Sequence, residues 1–173
     1  MISVSRIFKI SGNFVQNGEW AKPDPSFTGK IVVDDNDEFY GYCDELYSSS
    51  MSEINRIRYL SGVFATNIES GQRGIAFYKM SNDRKQAPLM YVVPDLTDPE
   101  GGTWAALTEF GYFLEMGKSK ITVEEEPFSE EEEKNIKAKY DNLDGNVNHN
   151  KDLLTEDQIA CTKSIIIHGI PSN

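Results

Sequence analysis

The chain has 173 residues, 39% of them hydrophobic, with nine Phe, eight Tyr and two Trp; this is enough apolar material for one folded domain and too much for a disordered chain. The 28 acidic and 17 basic residues give a formal net charge of -11, which argues against a surface that binds the nucleic-acid phosphate backbone. No run approaches the roughly 18 apolar residues that cross a bilayer, and the N-terminus has no secretory hydrophobic region. We therefore expect no membrane span.

The acidity is concentrated towards the C-terminus. Residues 1–123 carry 12 basic and 16 acidic side chains and most of the aromatic residues, whereas residues 124–173 carry 5 basic and 12 acidic ones. A segment so poor in large apolar groups does not build a core of its own. We therefore predict a β-barrel over residues 1–126 and an acidic helical extension over residues 127–173 that packs on it.

Short segments with period-two alternation, separated by clusters of Gly, Asn, Asp, Pro and Ser, predict eight strands in the first part. Turns are predicted at Asn17-Gly18 and at the run Asp34 to Asp37, because these residues tolerate left-handed backbone. No helical crossover separates the segments, so the strands should pair antiparallel with their sequence neighbours. The predicted strands are 7–15, 26–33, 38–47, 55–65, 73–80, 88–93, 103–107 and 111–123.

Glycines recur inside these segments, at Gly12, Gly29, Gly41, Gly62 and Gly74. Glycine weakens a strand unless the sheet must bend or coil there. The predicted fold class is therefore mainly β, an up-and-down antiparallel barrel of about eight strands with a C-terminal helical extension.

The periodicity changes after Pro127. Ser129 and Glu132 form a capping-box pair, and four glutamates follow Ser129 where the helix dipole favours negative charge. A helix to about Tyr140 is predicted, with Ile136 and Tyr140 spaced to contact the barrel. A second capping pair, Thr155 with Gln158, predicts another helix; Ile165 to Ile167 either ends it or forms a short strand.

The polar loop between these helices, Asp144 to Asp152, alternates oxygen donors as a calcium loop does. An EF-hand needs Gly at position six and Glu at position twelve, and here those positions hold His149 and Thr155. We therefore expect a solvated loop and no metal site.

The order of glycine and aromatic strands, from Ser11-Gly12-Asn13-Phe14 through Gly74-Ile75-Ala76-Phe77-Tyr78-Lys79 to Gly111-Tyr112-Phe113, resembles the calycin-type barrels. These are the lipocalin-like and avidin-like antiparallel barrels, usually of eight strands, and the likeness spans about residues 7–123. Gly18-Glu19-Trp20 has the lipocalin G-x-W form, although a strand precedes it here. The Arg-x-Tyr pair typical of the intracellular fatty-acid-binding branch is missing. The resemblance implies a barrel that encloses a small apolar ligand.

One face of the predicted strands combines aromatic and polar groups, and it would suit a ligand cavity if it points inward. This face carries Tyr40, Tyr42, Arg58, Tyr78 and Met90. An inward Arg58 would need an anionic partner, which a carboxylate-bearing ligand could supply. The predicted ligand-binding residues are Tyr40, Tyr42, Arg58, Tyr78, Met90 and Trp104. In the alternative, this face points outward and a solid core is formed by Phe27, Ile31, Phe39, Ile57, Phe77 and Tyr91.

Catalytic motifs are scarce. The two histidines, His149 and His168, both lie in the extension, and no nucleophile elbow, zinc-protease motif or phosphate-binding glycine loop is present. The two cysteines, Cys43 and Cys161, favour a reducing, cytoplasmic location over a disulfide scaffold, with Cys43 a buried free thiol.

The expected function is therefore non-catalytic intracellular binding of a small, partly apolar ligand, without a cofactor. The alternative is a solid barrel that serves as a protein-interaction or structural module through an outer face or the acidic extension. A barrel enzyme acting on a small hydrophobic substrate is a third interpretation, since such chemistry need leave no sequence motif.

Overall fold

The computed structural model describes residues 4–46, 56–81, 89–107 and 113–141. Nine strands and one α-helix lie in these ranges, with a single 3-10 turn between β7 and β8. The strands are β1 (Arg6–Gln16), β2 (Glu19–Trp20), β3 (Phe27–Val33), β4 (Glu38–Glu45), β5 (Ile57–Thr66), β6 (Arg73–Ser81), β7 (Leu89–Val93), β8 (Gly102–Leu107) and β9 (Phe113–Glu126); the 3-10 turn is Pro99–Gly101 and the helix is α1 (Glu130–Asp141).

Eight of the strands form a closed antiparallel barrel. From β3 to β9 each strand pairs with the next, and β1 pairs with β3 on one side. The barrel closes where β1 meets β9, from Ile7 opposite Glu126 to Phe14 opposite Ser119. The short β2 only extends the sheet beside the end of β1. The predicted fold class is confirmed, and every barrel strand overlaps its predicted segment.

The two predicted hairpin turns are confirmed. Asn17 and Gly18 both adopt positive φ, 56° and 79°, the conformation that a two-residue hairpin requires. In the second turn, Asp34 accepts hydrogen bonds from the backbone N–H groups of Asn36 and Glu38. This side-chain capping fixes the register of β3 against β4.

Asp37 ends the second turn with a φ of 61° and ties together three strand ends. Its carboxylate accepts hydrogen bonds from Arg6 at 2.8 Å and from Arg73 at 2.5 Å. Partial burial raises the pKa of this carboxyl, but the two guanidinium groups outweigh that effect and hold the pKa below its ordinary value.

Interior glycines allow the strands to coil. A Cβ atom on Gly29 would collide with the carbonyl oxygen of Tyr42 on the adjacent strand, and one on Gly41 would collide with the carbonyl oxygen of Lys30. The strands β3 and β4 therefore approach too closely at these points for any side chain. This agrees with the strong curvature that the glycine pattern predicts.

Large apolar side chains pack together inside the barrel. The rings of Phe77 and Tyr91 stack with centroids 5.1 Å apart, and Phe39 packs against Phe77 at 6.3 Å. Such aromatic pairs contribute beyond the area they bury. The buried cluster comprises Ile10, Phe14, Phe27, Ile31, Val33, Phe39, Cys43, Leu60, Phe64, Ile75, Phe77, Tyr91, Val93, Trp104 and Ile121.

The predicted helix is present as α1, and it lies on the outside of the barrel wall. The backbone N–H of Glu132 donates to Ser129 Oγ at 3.3 Å, which caps the N-terminus. Ile136 packs in a cluster with Ile7 on β1 and Val32 on β3. Lys30 adds ion pairs from the barrel wall to Glu126 and Glu132.

The predicted second helix, the loop Asp144 to Asp152, the Ile165 to Ile167 run, both histidines and Cys161 lie outside the described residues. Within the described ranges, no helix has the length and apolar character needed to cross a membrane.

Candidate functional site

The predicted tyrosines of β4 point away from the interior. Tyr40 packs against Tyr140 of α1 with ring centroids 5.2 Å apart, and the ammonium of Lys139 lies 4.6 Å from the ring of Tyr42. Tyr40 and Tyr42 therefore form part of the outer surface that α1 covers, as in the alternative in which this face points outward.

Tyr78 and Met90 lie on the same outer face. Tyr40 pairs with Ser61, Ser61 pairs with Tyr78, and Tyr78 pairs with Met90. Residues directly opposite each other on antiparallel strands project to one side of the sheet. Both side chains are buried, but they do not line the barrel interior.

Arg58 is on the interior face, unlike the tyrosines of β4, Tyr78 and Met90. It pairs with Cys43, a member of the interior cluster, and its Nη1 donates to the carbonyl oxygen of Ile57 at 3.1 Å. Ile57, which the alternative assigned to the solid core, is instead on the outer face beside Tyr59 and Tyr140.

Trp104 also points inward. Its Nε1 donates to the carbonyl oxygen of Val15 at 3.0 Å, and its ring meets Phe14 edge-on at 5.8 Å. Of the six predicted site residues, the structure thus brings only Arg58 and Trp104 to the interior. A ligand role for each of the six stays a prediction.

An ion pair lies in the interior, where the sequence analysis predicted no charges besides Arg58. Lys79 Nζ donates to Glu45 Oε1, and the two side chains are only 3% and 1% exposed. With Cys43 and Tyr91 they form what we call the interior polar cluster (Cys43, Glu45, Lys79 and Tyr91). It lies towards the end of the barrel at which β4 ends and β5 begins.

Aromatic rings surround the ammonium of Lys79. Its Nζ lies 4.3 Å from the centroid of Phe27, 5.0 Å from that of Tyr91 and 5.3 Å from that of Phe14. Ring faces attract a cation, more strongly when it is desolvated. Three rings and one carboxylate therefore hold this ammonium in place.

Burial and mutual charge shift the titration of the cluster. Burial lowers the pKa of Lys79, but attraction by Tyr91 once it ionises and by the Glu45 carboxylate outweighs this effect, and the net shift is upward. Burial raises the pKa of the Cys43 thiol and raises the pKa of Tyr91 to about 12, against an opposing effect of Lys79. At neutral pH Lys79 is therefore a cation, and Cys43 and Tyr91 are protonated and unreactive.

Two oxygen atoms of the cluster have no hydrogen-bond partner within the described ranges. They are Oε2 of Glu45 and the phenolic oxygen of Tyr91, and both are inaccessible to solvent. Most buried polar atoms in proteins are hydrogen-bonded, and an unpaired one costs free energy. The cluster therefore has unused capacity for one donor at Glu45 and for a polar group at Tyr91.

The cluster is not explained by stability alone. Removing two charges from water is costly, and replacing a buried ion pair with apolar side chains of similar volume is often neutral or stabilising. Most of the remaining interior, including Phe27 and Leu60, is apolar and would accept such residues. Polar groups with perturbed pKa values inside an otherwise apolar interior are typical of binding sites.

The alternation of residues along β4 and β6 would have predicted the interior positions of Glu45 and Lys79. On β4 the inward residues are Phe39, Gly41 and Cys43, so continuing the alternation places Glu45 inside. On β6 the same extension from Phe77 places Lys79 inside. Charged residues in phase with an apolar face are the pattern to look for.

A concave region lies on the outside of the barrel, beside α1. It is a groove of about 250 Å³ lined by Lys9, Thr28, Gly29, Lys30, Tyr42, Asp44, Ile57 and Lys139. Lys30 is already paired with Glu126 and Glu132. In the part of the chain that the structure describes, no group of three or more His, Cys, Asp or Glu side chains could hold a metal ion.

Comparison with known proteins adds no family to this description. No protein-family model matches the chain, and no match is found among curated proteins or among solved structures. A function is therefore inferred from the geometry of the barrel and its interior polar cluster.

Proposed function

We propose that the protein binds a small, partly apolar ligand inside the barrel, in the manner of the calycin-type barrels that its sequence resembles. The observation that carries the proposal is the interior polar cluster, with the buried ion pair of Glu45 and Lys79 set among aromatic rings. Ligand sites of this kind combine an apolar lining with a few placed polar groups.

The architecture supports this proposal. A barrel of eight strands is just wide enough either to be filled by side chains or to hold one small ligand. Apolar side chains such as Phe27 and Leu60 would contact the body of the ligand, and the polar cluster would orient its head group. Arg58 pairs with Cys43 and Trp104 pairs with Tyr91, so both would take part as neighbours of the cluster.

A second candidate function is a solid barrel that acts as an interaction module. The stacked rings of Phe77 and Tyr91 favour it, because rings in contact leave little room in that cross-section. The contact surface would then be on the outside, where Glu130 to Glu133 open α1. Ligand occupancy distinguishes the two candidates.

The test is mass spectrometry of the full-length protein, purified without detergent, under native and then denaturing conditions. The proposal predicts either an additional bound mass that is lost on denaturation or saturable binding of an added fluorescent lipid. Lys79→Met, which removes the cation of the cluster, should reduce either signal, and Lys120→Met on the outer surface should not. A protein that carries no extra mass and shows no saturable binding would favour the solid barrel.

A further inference from the structure

The interior polar cluster contains one positive and one negative side chain, and their pairing indicates which class of ligand the site would bind. Lys79 and Glu45 neutralise each other through one carboxylate oxygen, Oε1. The other oxygen, Oε2, accepts no hydrogen bond within the described ranges, although it is fully buried. An ionised carboxylate is an acceptor only, so this atom can be satisfied only by a donor.

We propose that this site selects a neutral hydroxyl group on an apolar body, over a carboxylate or an ammonium. The inference rests on the proposed function and names the ligand class for that same site. The hydroxyl would donate its proton to Glu45 Oε2. Its oxygen would be available to accept from the phenolic O–H of Tyr91, which donates to no other group within the described ranges.

Charged head groups fit the cluster less well. An ammonium ligand could donate to Glu45, but it would add a second cation beside Lys79, already enclosed by three rings. A carboxylate ligand would place an anion beside Glu45 and would leave Oε2 without a donor. In a desolvated interior, like charges repel far more strongly than in water, whereas a hydroxyl adds no charge.

Arg58 is the interior residue that would favour a carboxylate ligand, whereas Glu45 would favour a hydrogen-bond donor. Its guanidinium already donates to the carbonyl oxygen of Ile57 and is only partly buried. The Glu45 oxygen, by contrast, is fully buried and has no partner within the described ranges. A hydrogen bond from a ligand stabilises the complex more when it satisfies a buried acceptor than when it is made to a guanidinium that retains contact with water. A hydroxyl ligand is therefore favoured over a carboxylate.

The experiment compares three probes with the same alkyl chain: 1-octanol, octanoate and octylammonium. Each is titrated into the full-length protein at pH 7 by isothermal titration calorimetry. We expect 1-octanol to bind at least about tenfold more tightly than either charged probe, the effect of one hydrogen bond to a charged group. This ranking is measured on the unaltered protein, so it does not depend on whether any variant folds.

Variants then assign the selectivity to the cluster. Glu45→Gln should weaken 1-octanol binding about tenfold and strengthen octanoate binding, because Lys79 loses its counter-ion. The matched control is Asp44→Asn, the same change of charge on the adjacent residue, which pairs with Arg56 on the outer face and should alter 1-octanol affinity less than twofold. Tyr91→Phe should weaken 1-octanol binding without reversing the ranking.

The outcomes separate the two proposals. If octanoate binds most tightly, the cations select the ligand and the inference is wrong, while the proposed function stands. If octylammonium binds most tightly, the inference is again wrong and the carboxylate of Glu45 acts as an ion-pair partner. If none of the probes binds and the purified protein carries no extra mass, the proposed function and the inference both fail.

Discussion

Lys79→Met isolates the buried ion pair, because methionine keeps most of the length and apolar stem of lysine and removes only the charge. The variant leaves the carboxylate of Glu45, 1% exposed, without its counter-ion in the barrel interior. Breaking a buried pair in this way costs about 3 to 5 kcal/mol. A domain has only about 5 to 15 kcal/mol of stability, so the variant should fold but be severely weakened.

The double variant Glu45→Leu with Lys79→Met tests whether the loss of stability comes from the unpaired charge. It removes both charges and fills the site with apolar atoms, so its free energy of unfolding should return to within about 1 kcal/mol of the unaltered protein or exceed it. Together with the single variant Glu45→Leu, these variants complete a double-mutant cycle that measures the coupling of the two residues.

The assay is equilibrium unfolding in urea, followed by circular dichroism and by tryptophan fluorescence to check for a two-state transition. The matched control is Lys120→Met, whose ammonium pairs with Asp24 at 2.7 Å on the surface, with the two side chains 25% and 51% exposed. It should cost less than about 1 kcal/mol. If Lys79→Met costs no more than Lys120→Met, or if the double variant is as unstable as the single one, the charges are not buried as described.

Three further predictions concern other parts of the fold. Asp37→Asn removes two arginine ion pairs but keeps a residue that tolerates positive φ. Because the pKa of the Asp37 carboxyl is lowered on folding, the ion pairs should contribute stability, below about 1 kcal/mol, above about pH 4. This contribution should be lost as the pH falls through the folded-state pKa, and it should shrink in 1 M salt. In a Cys161→Ser variant, the thiol of Cys43 should resist alkylation in native buffer and react on unfolding in urea, because it is buried with a raised pKa; rapid native labelling would contradict its placement. If α1 unfolds together with the barrel, Ile136→Ala should lower the free energy of unfolding in urea by about 2 to 4 kcal/mol. The control Asn135→Ala, on the exposed side of the helix, should change it by less than about 0.5 kcal/mol. Equal effects would mean that the helix does not pack on the barrel through Ile136.

The strand order and closure of the barrel could be predicted because their determinants are local. Alternation marks each strand, and residues such as Asn17-Gly18 mark where a chain reverses. Glycines at positions such as Gly29 indicate coiling, because no side chain fits where neighbouring strands approach. The capping residue Ser129 and the spacing of Ile136 likewise identify α1 from short-range pattern alone.

The assignment of β5 to the two faces could not be predicted in the same way. Its register against β4 depends on how the connecting chain between Glu45 and Ile57 is arranged, and a shift of one residue moves every side chain to the opposite face. The sequence analysis placed Arg58 with Tyr42, whereas the structure pairs Arg58 with Cys43 and Tyr42 with Tyr59. The same shift explains why Ile57 lies outside.

The interior polar cluster was missed for a different reason. Glu45 is the last residue of its strand and Lys79 is near the end of β6, positions at which charged residues are ordinarily solvated. That the two meet depends on the pairing of β4, β5 and β6 around the barrel. Sequence alone does not show that a carboxylate and an ammonium on strands far apart in the chain share one desolvated site.

The most direct test of a ligand site at the interior polar cluster is a titration of the ¹⁵N-labelled full-length protein with 1-octanol, followed by two-dimensional NMR. The proposed site predicts saturable shifts that are largest at the backbone amides of Glu45 and Lys79. Amides of the outer groove, at Lys9, Lys30 and Lys139, should shift little. Shifts confined to that groove, or no saturable shift at any amide with 1-octanol, octanoate or octylammonium, would contradict a ligand site inside the barrel.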